Sequence, residues 1–321
     1  MSLLEVRDLR ISFPEGKKTQ VAVSELNFTM EPGDILGIVG ESGSGKSVTS
    51  LSIMGLTSPS TKIEAQKLEY DGQNLLALDE KDFRKIRGRS MSMIFQEPMS
   101  ALNPLLPVGR QIEEVLETHS EETDRMGKVI AIMKEVGLPR AEELYHQLPY
   151  ELSGGMLQRI LIAMAMILRP GLLIADEPTT ALDVTVQAQI LRLMKRLNTQ
   201  YGTAILFISH DFAVIRDICK QVMVLYLGYI MEAGPVDQLI KRPMNPYTLG
   251  LLKSIPRPKV KNQPLYTIPG RVPSLDERPS GCPFHTRCFK AQERCRRELP
   301  PLTESGECKL RCFYPVEDEE R

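Results

Sequence analysis

The residues from Gly40 to Ser47, GESGSGKS, have the types and spacing of a phosphate-binding loop. Glycines let the backbone wrap closely around an anion, so that successive N–H groups point at its oxygens. The Lys46 ammonium would neutralise β- and γ-phosphate oxygens, and the Ser47 hydroxyl would join the shell of a Mg²⁺ ion. A predicted helix begins here, and its positive N-terminal end would act on the same anion. The pattern therefore predicts a nucleotide-phosphate site.

Two adjacent carboxylates, Asp176 and Glu177, end the apolar run LLIADE. Because successive side chains of a strand point to opposite faces, the two acids need not share a role. Asp176 is placed to hold Mg²⁺, usually through water, and Glu177 to polarise the water that attacks the γ-phosphate. An isolated Asp-Glu pair is more typical of a solvated strand end, but after a phosphate-binding loop it predicts phosphate hydrolysis.

Two further strand ends carry polar side chains, Gln96 in MSMIFQEP and His210 in AILFISHD. Ligands of parallel α/β sheets gather at the carboxyl ends of the strands, so these residues could join the acids. Gln96 could sense the metal or the attacking water, and His210 could hydrogen-bond γ-phosphate oxygens. A lone histidine at a strand end is usually a capped loop residue, so its role depends on the other residues.

The segment ELSGGMLQR predicts a second anion-binding helix end. Ser153 is a predicted N-cap, and Gly154 and Gly155 expose backbone N–H groups at the start of a helix that runs to Ile167. The ordinary interpretation is a capped helix with glycines for close packing. Since the segment lies far along the chain from the phosphate-binding loop, it makes best sense if it serves a nucleotide held by another subunit.

The elements that must position these residues alternate between strand and helix. LLEVRDLRISF and AVSELNF alternate apolar and polar residues, as half-buried strands do, while DILGIVG, LLIAD and TAILFISH are typical of buried strands. A helix with Asp183 as its N-cap and Gly202 as its stop separates the last two runs. This strand–helix–strand order predicts parallel pairing and an α/β fold.

Strand patterns are absent between about residues 101 and 168, which predicts a helical insertion. One apolar stripe at helical spacing there comprises Met126, Val129, Ile130, Met133 and Val136. From residue 255 to residue 280 prolines are frequent, which predicts an extended connection to a small tail.

Composition favours a globular protein: 42% of the 321 residues are hydrophobic and 25% are charged. The formal net charge of −1 argues for neither nucleic acid nor an anionic membrane as a partner. The start, MSLLEVRDLR, lacks the apolar core of a signal peptide, and the apolar run from Ile160 to Leu168 is far shorter than a membrane span. We therefore expect a cytosolic chain that associates with a membrane only through a partner.

Five of the six cysteines lie in the tail, at Cys282, Cys288, Cys295, Cys308 and Cys312. Clustered cysteines in the cytosol more often hold a metal than form disulfides. Structural zinc sites pair ligands at two to four intervening residues, and Cys282 and His285 have that spacing. A zinc site on Cys282, His285, Cys288 and Cys295 is one possibility and free thiols are another. The sixth cysteine, Cys219, lies in an apolar stretch and is predicted to be a core residue.

This set of motifs resembles the ATP-binding subunits of ABC transporters. GESGSGKS looks like the Walker A loop, LLIADE like Walker B, LSGGM like the signature and TALD like the D-loop, while Gln96 resembles the Q-loop glutamine and His210 the switch histidine. Phe13 falls where the family stacks an aromatic residue on adenine. Met156 departs from the usual glutamine of LSGGQ, but it follows the Ser-Gly-Gly contact, so binding should survive.

The resemblance implies a role for each motif residue. Glu177, His210 and Gln96 would act in catalysis. The signature, Ser153, Gly154, Gly155 and Met156, would contact the ATP of a partner, and Ala181, Leu182 and Asp183 would form the D-loop. The implied ATP and Mg²⁺ contacts are Phe13, Gly40, Ser42, Gly43, Ser44, Gly45, Lys46, Ser47, Val48, Gln96 and Asp176.

Five further segments resemble the peptide and nickel branch of this family, in particular its D-type dipeptide permease subunits. They are FQEPMSALNP, PYELSGGM, NPYTLGLL, IPGRVPS and GCPFHTRC. That likeness implies a P-loop NTPase core at residues 1–254, with an antiparallel β subdomain and a helical subdomain near 101–168, followed by a cysteine-rich tail at 255–321. It also implies a 4Fe–4S cluster on Cys282, Cys288, Cys295 and Cys312, with Cys308 as a spare thiol or an alternative ligand. Nearby basic residues, Arg287, Lys290, Arg294, Arg296 and Arg297, would suit such an anionic cluster.

The implied assembly is a complex in which this chain lies peripherally on the cytoplasmic side of the cell inner membrane. It comprises two membrane permease subunits, a second ATPase subunit that is often a paralogue, and an extracytoplasmic binding protein, with the segment after Gln96 as the docking surface. ATP binding would close the two ATPase subunits head to tail and drive import of dipeptides or oligopeptides. A nickel importer of the same branch or a non-transport ABC ATPase is the alternative. A GTPase or small-molecule kinase would leave LSGGM unexplained.

Overall fold

The computed structural model describes residues 2–15, 18–180, 182–255 and 266–320; Ala181 of the predicted D-loop lies outside them. The chain divides into two units. The first comprises Met1–Leu3, Met30–Asp34 and Ala77–Leu206, and the second comprises Leu4–Thr29, Ile35–Leu76 and Phe207–Arg321.

The strands are numbered in chain order. They are β1 (Leu4–Glu15), β2 (Lys18–Met30), β3 (Ile35–Val39), β4 (Lys62–Glu64), β5 (Lys67–Tyr70), β6 (Gln73–Asn74), β7 (Met91–Ile94), β8 (Leu172–Asp176), β9 (Ala204–Ser209), β10 (Gln221–Tyr226), β11 (Tyr229–Pro235), β12 (Thr303–Ser305) and β13 (Cys308–Leu310).

The α-helices are numbered in the same way. They are α1 (Lys46–Ile53), α2 (Glu80–Ile86), α3 (Pro98–Ala101), α4 (Val108–His119), α5 (Arg125–Glu135), α6 (Ala141–Leu144), α7 (Gly154–Met166), α8 (Val184–Tyr201), α9 (Phe212–Ile218), α10 (Val236–Lys241), α11 (Pro246–Lys253) and α12 (Glu293–Arg297). Short 3₁₀ turns span Leu75–Ala77, Pro149–Glu151 and Asp318–Glu320.

The first unit contains the parallel pair β7 and β8, whose register runs from Met91 opposite Leu172 to Ile94 opposite Ala175. Every residue of β8 is buried, as its continuous apolar sequence predicts for a parallel strand. Helices α3 to α7 occupy residues 98–166, which confirms the predicted helical insertion.

Two helix boundaries of the first unit agree with the sequence prediction. Asp183 caps α8 by accepting hydrogen bonds of 3.0 Å from the N–H groups of Thr185 and Val186. The helix ends at Gly202, which has the left-handed φ of 68° that favours glycine after a last turn. These local signals therefore place the helix that follows the Walker B strand.

The predicted apolar stripe of α5 is only partly correct. Val129 and Met133 are fully buried, but Met126 is 42% exposed. Ile132, which lies outside the predicted stripe, is buried instead. The buried face is therefore rotated from the prediction, because the sequence of this helix is apolar over more than one face.

The second unit contains an antiparallel sheet in the order β2-β1-β5-β6, with β4 also paired to β1. Strands β4 and β5 run antiparallel to β1, and β6 runs antiparallel to β5. The long strands β1 and β2 match the two alternating segments of the sequence. Strands β4 to β6, of two to four residues, were not predicted because so few residues carry no periodicity.

A further set of strands in the second unit follows the order β12-β13-β11-β10-β3. Strand β10 runs parallel to β3, and β11 pairs antiparallel with β10. The tail contributes β13, which pairs antiparallel with β11 through Glu232 opposite Leu310 and Ala233 opposite Lys309. Strand β9 is divided by the boundary between the units, which falls after Leu206.

Within the described residues, no helix is both long enough and apolar enough to span a membrane.

Candidate functional site

The phosphate-binding loop of the second unit connects β3 to α1, the strand–loop–helix context that the sequence predicts. A Cβ atom on Gly40 would lie 2.2 Å from the carbonyl oxygen of Leu225, so no larger residue fits there. Gly45 precedes α1 with a φ of 99°, a conformation that side chains rarely adopt. The two glycines are therefore required by a close approach and by a backbone turn.

Lys46 lies in this loop and is only 5% exposed. Its Nζ donates hydrogen bonds to the carbonyl oxygens of Gly40 at 2.7 Å and Glu41 at 3.0 Å. The buried hydroxyl of Ser44 has no hydrogen-bond partner among the described residues. A buried ammonium, an unsatisfied hydroxyl and the N-terminus of α1 together fit a phosphate ligand.

The outer part of the loop is open to solvent: Ser42, Gly43 and Ser47 are exposed, and Val48 is half-buried. The exposed Ser47 hydroxyl is of the type that completes a Mg²⁺ shell on a bound nucleotide. This chain therefore presents the predicted donors at the start of α1.

The structure brings Gln96 and Glu177 together in the first unit. Gln96 Nε2 donates to Oε2 of Glu177 at 3.2 Å, and the hydroxyl of Thr180 donates to the same oxygen at 3.0 Å. The Gln96 contact follows from the parallel register of β7 and β8, which places the residues after Ile94 and Ala175 at one sheet edge. The Thr180 contact is local, since Thr180 lies three residues after Glu177. Sequence reasoning included Thr180 in the D-loop motif but gave it no contact with the acid.

Glu177 has a left-handed backbone with a φ of 49°. A non-glycine residue in this region is strained by about 1–3 kcal/mol, and such strain concentrates at functional sites. Asp176, the last residue of β8, is 5% exposed. The two acids therefore differ in environment, as expected if they have different roles.

The signature segment of the first unit forms the start of α7. Ser153 is the N-cap and accepts a hydrogen bond of 3.4 Å from the N–H of Met156, which confirms the predicted cap. Ser153 and Gly154 are exposed, while Gly155 and Met156 are half-buried. The half-buried Leu182 of the D-loop lies 3.8 Å from the position of a Cβ on Gly154. This helix end is therefore open to a ligand from outside the unit.

The remaining predicted residues lie in the second unit. Phe13 is half-buried on β1, and His210 is exposed at the end of β9. Asp211 follows His210 and caps α9 by accepting a hydrogen bond of 2.7 Å from the N–H of Ala213. His210 is thus held at a strand-to-helix turn, and its predicted contact with γ-phosphate stays a prediction.

Comparisons with known proteins agree with this geometry. The model of the family described as ABC transporter matches residues 23–180, and that of the oligopeptide/dipeptide transporter C-terminal region matches residues 231–295. The oligopeptide transport ATP-binding protein OppD of Escherichia coli K12 is 45% identical over 99% of this chain and 94% of its own length. The chain belongs to the ABC transporter family. The dipeptide transport ATP-binding protein DppD of Haemophilus influenzae is 41% identical over 99% of the chain and 97% of its own length.

A solved structure agrees with the fold of this ABC ATPase. It is the dimeric, post-hydrolysis state of the ATP-binding cassette MJ0796 bound to ADP and Pi. The TM-score is 0.65 at 26% sequence identity, over 73% of this chain and 98% of that chain. The predicted P-loop fold and the predicted ATP hydrolase activity are therefore confirmed.

The tail cysteines of this ABC ATPase contradict one prediction. Among the described residues, no group of three or more His, Cys, Asp or Glu side chains could hold a metal ion. The predicted 4Fe–4S cluster on Cys282, Cys288, Cys295 and Cys312 is therefore wrong, and so is the zinc alternative with His285.

The physical reason is the burial of the thiols. Cys282, Cys288, Cys295 and Cys312 line a cavity of only about 20 Å³. Burial raises the pKa of Cys282 to about 11 and the pKa of Cys312 to about 12, and it also raises the pKa of Cys288. The thiols of Cys282, Cys288 and Cys312 are therefore protonated near pH 7 in the metal-free chain, whereas the form that binds a metal is the thiolate. None of the six cysteines, all of which lie in the described residues, forms a disulfide, and Cys219 is buried, as predicted.

The basic residues near these cysteines have local partners. Arg294 binds Glu298 at 2.9 Å, Arg297 binds Glu293 at 2.7 Å, and Lys290 donates to the carbonyl of Pro315 at 2.9 Å. Two of these pairs are i,i+4 contacts, which stabilise a short helix modestly. These charges therefore support the local tail structure.

Sequence reasoning missed a contact at the phosphate-binding loop itself. Arg287 of the tail forms an ion pair of 2.6 Å with Glu41, the second residue of GESGSGKS. No sequence signal links the two positions, which lie 246 residues apart.

Proposed function

We propose that this ABC ATPase is the ATP-binding subunit of an importer for dipeptides or oligopeptides. The main support for the proposal is that one chain combines two features. It has a phosphate-binding loop with a buried Lys46, and it matches the oligopeptide/dipeptide transporter C-terminal region. The names of the OppD and DppD relatives, which cover nearly the whole chain, support the same cargo.

The proposed chemistry is hydrolysis of the γ-phosphate of ATP. Lys46 and the backbone N–H groups of its loop would bind the phosphates, with Ser47 and Asp176 as the residues that hold Mg²⁺. The bound Mg²⁺ would neutralise charge that develops on the phosphate oxygens. Glu177 would accept a proton from the attacking water, and its contacts with Gln96 and Thr180 support this role because they fix the orientation of the carboxylate.

The proposed effect of ATP binding is to close a dimer of ATPase subunits. Each ATP would lie between one phosphate-binding loop and the signature of the partner subunit, here Ser153 to Met156. The exposure of Ser153 and Gly154 supports this arrangement, as does the dimeric state of the related cassette bound to ADP and Pi. ATP binding would favour the closed dimer and hydrolysis would release it. The partner would be a second copy or a paralogue.

The proposed partners are two transmembrane permease subunits and, through them, an extracytoplasmic binding protein. Exposed apolar side chains of the first unit support a docking surface after Gln96, since Leu105 is 82% exposed and Tyr150 is 68% exposed. The chain would then lie peripherally on the cytoplasmic face of the inner membrane. Residues 1–254 would form the ATPase domain and residues 255–321 the tail domain.

The proposal is tested by purifying the full chain with the membrane proteins that accompany it and reconstituting the complex in lipid vesicles. We expect ATP hydrolysis that a peptide-loaded binding protein stimulates and that Lys46→Ala abolishes. Stimulation by a nickel chelate but not by peptide would overturn the proposed cargo. Copurification with nucleic acid in place of membrane proteins would overturn the transport function.

A further inference from the structure

The guanidinium of Arg287 holds the carboxylate of Glu41 through two parallel contacts. Arg287 Nη1 lies 2.6 Å from Glu41 Oε2, and Nη2 lies 3.0 Å from Oε1. The Arg287 side chain is only 4% exposed, whereas that of Glu41 is 29% exposed. Two-pronged contacts of this kind fix the plane of the carboxylate as well as its distance.

The guanidinium of Arg287 also has contacts with residues other than Glu41. Its Nε donates to the carbonyl oxygen of Pro269 at 2.9 Å, and Nη1 lies 3.4 Å from the hydroxyl of Tyr226. The guanidinium also lies over the ring of Phe284, 6.0 Å from its centroid. A buried charge with so many partners keeps a single orientation. The Arg287 guanidinium therefore holds the Glu41 carboxylate in a fixed position.

Glu41 is one of the two residues of the phosphate-binding loop whose carbonyl oxygens accept hydrogen bonds from Lys46. The Glu41 carbonyl accepts hydrogen bonds from Lys46 Nζ at 3.0 Å and from the N–H of Ser44 at 3.2 Å. The Glu41 N–H donates to the hydroxyl of Tyr247 at 2.9 Å. Burial raises the pKa of Tyr247, so this hydroxyl stays neutral. Backbone and side chain of Glu41 are thus held from the C-terminal part of the chain.

We propose that Arg287 is a positioning residue for ATP binding, which acts by holding Glu41 so that the loop keeps its phosphate-binding shape. The inference rests on the proposed function of residues 40–47 as the ATP site. It assigns the tail a task in the ATPase reaction itself, because a preorganised loop loses less entropy when phosphate binds.

Four variants of the full chain test the proposal through the Kd for MgATP. Arg287→Ala should raise the Kd about tenfold, the effect of one lost charge-assisted contact. Arg287→Lys should raise it by a smaller factor, since lysine keeps the charge but cannot form the two-pronged contact. Glu41→Gln should also raise the Kd for MgATP. The double variant Arg287→Ala with Glu41→Gln should bind no worse than Arg287→Ala, because the arginine acts through Glu41.

Arg311→Lys is the matched control. Arg311 is a tail arginine of 2% exposure that binds Glu25 at 2.8 Å and donates to the carbonyl oxygens of Ile230 and Pro300. Its replacement should lower the unfolding temperature but leave the Kd for MgATP within about twofold of wild type. Equal weakening by Arg311→Lys and Arg287→Lys would mean that both are merely structural and would overturn the proposal.

Lys46→Ala separates this inference from the function on which it rests. Binding of MgATP by Lys46→Ala as tightly as by wild type would refute the ATP site. Loss of binding in Lys46→Ala together with wild-type Kd in folded Arg287→Ala would refute the positioning role alone. If Arg287→Ala does not fold, the Kd values of Arg287→Lys and Glu41→Gln decide, and wild-type values for both reject the proposal.

Discussion

The side-chain amide of Gln96 donates a hydrogen bond of 3.2 Å to the Glu177 carboxylate, on the same oxygen that accepts from Thr180 at 3.0 Å. Two donors on one oxygen fix the rotation of a carboxylate whose backbone is already in a left-handed conformation, with a φ of 49°. The proposed general base is therefore oriented before any water reaches it.

Glu177→Gln should bind MgATP with a Kd close to that of wild type and lose at least about a hundredfold in turnover, because the amide cannot accept the proton of the attacking water. Phosphate release and nucleotide binding by the full chain measure the two quantities. Glu143→Gln, which changes an exposed carboxylate of α6, serves as the control and should hydrolyse ATP at the wild-type rate. Wild-type turnover by Glu177→Gln would refute the assignment of the base.

Gln96→Ala should lower kcat about tenfold while the Kd for MgATP stays the same, because the hydrogen bond that it removes orients Glu177 and leaves the phosphate-binding loop intact. Thr180→Val removes the second donor to the same oxygen and should also lower kcat. Steady-state hydrolysis at saturating MgATP provides the measurement. A rise in KM at constant kcat would show that Gln96 acts on nucleotide binding instead.

Gly40→Ala should weaken MgATP binding by about tenfold to a hundredfold, because the new Cβ would lie 2.2 Å from the Leu225 carbonyl oxygen and must displace the loop. Gly72→Ala is the matched control: Gly72 has a φ of 76° but nothing within 4 Å of an added Cβ. That variant should lose stability without losing affinity. Equal affinities for the two alanine variants would contradict the steric argument.

Asp183→Ala should lower the free energy of unfolding by about 1 kcal/mol, because it removes the acceptor for the N–H groups of Thr185 and Val186 at the start of α8. Asp183→Asn should retain most of the stability, since asparagine is an equally good N-cap. Urea unfolding of both variants measures the difference. A loss in Asp183→Asn as large as that in Asp183→Ala would mean that charge, and not capping, stabilises the helix.

Cys282 and Cys312 should react slowly with iodoacetamide at pH 8 in the folded chain. With a pKa raised to about 11 by burial, Cys282 is ionised in only about one molecule in a thousand at that pH, and alkylation requires the thiolate. The rate should rise as the pH approaches the pKa and should increase sharply in urea. Mass spectrometry of labelled peptides measures both. Rapid labelling of Cys282 at pH 8 in the folded chain would contradict the raised pKa.

The parts of the site that were predictable from the sequence are those with local causes. Gly45 at the start of α1, the caps Ser153 and Asp183 and the stop at Gly202 depend on the backbone within a few residues of each position. The proximity of Gln96 and Glu177 also follows from sequence once two parallel strands are recognised, since each residue lies just after the end of its strand.

The parts that were not predictable depend on long-range packing. Glu41 and Arg287 carry no pattern that marks them as partners, and only the fold of the second unit joins them. The predicted metal cluster on the tail cysteines was wrong because the spacing of cysteines along the chain indicates neither the burial nor the protonation state of their thiols. Strands β4, β6 and β12 are too short for a periodic signal.

The pairing of β13 with β11 has a consequence for how the protein is made. Strand β11 is synthesised before β13, so the β11 edge of a growing chain stays unpaired until Cys308–Leu310 leave the ribosome. An unpaired edge can recruit the strand of a neighbouring chain. The last residues of the tail therefore cover an edge that is open during synthesis, and chains truncated before Cys308 should aggregate more readily than the full chain.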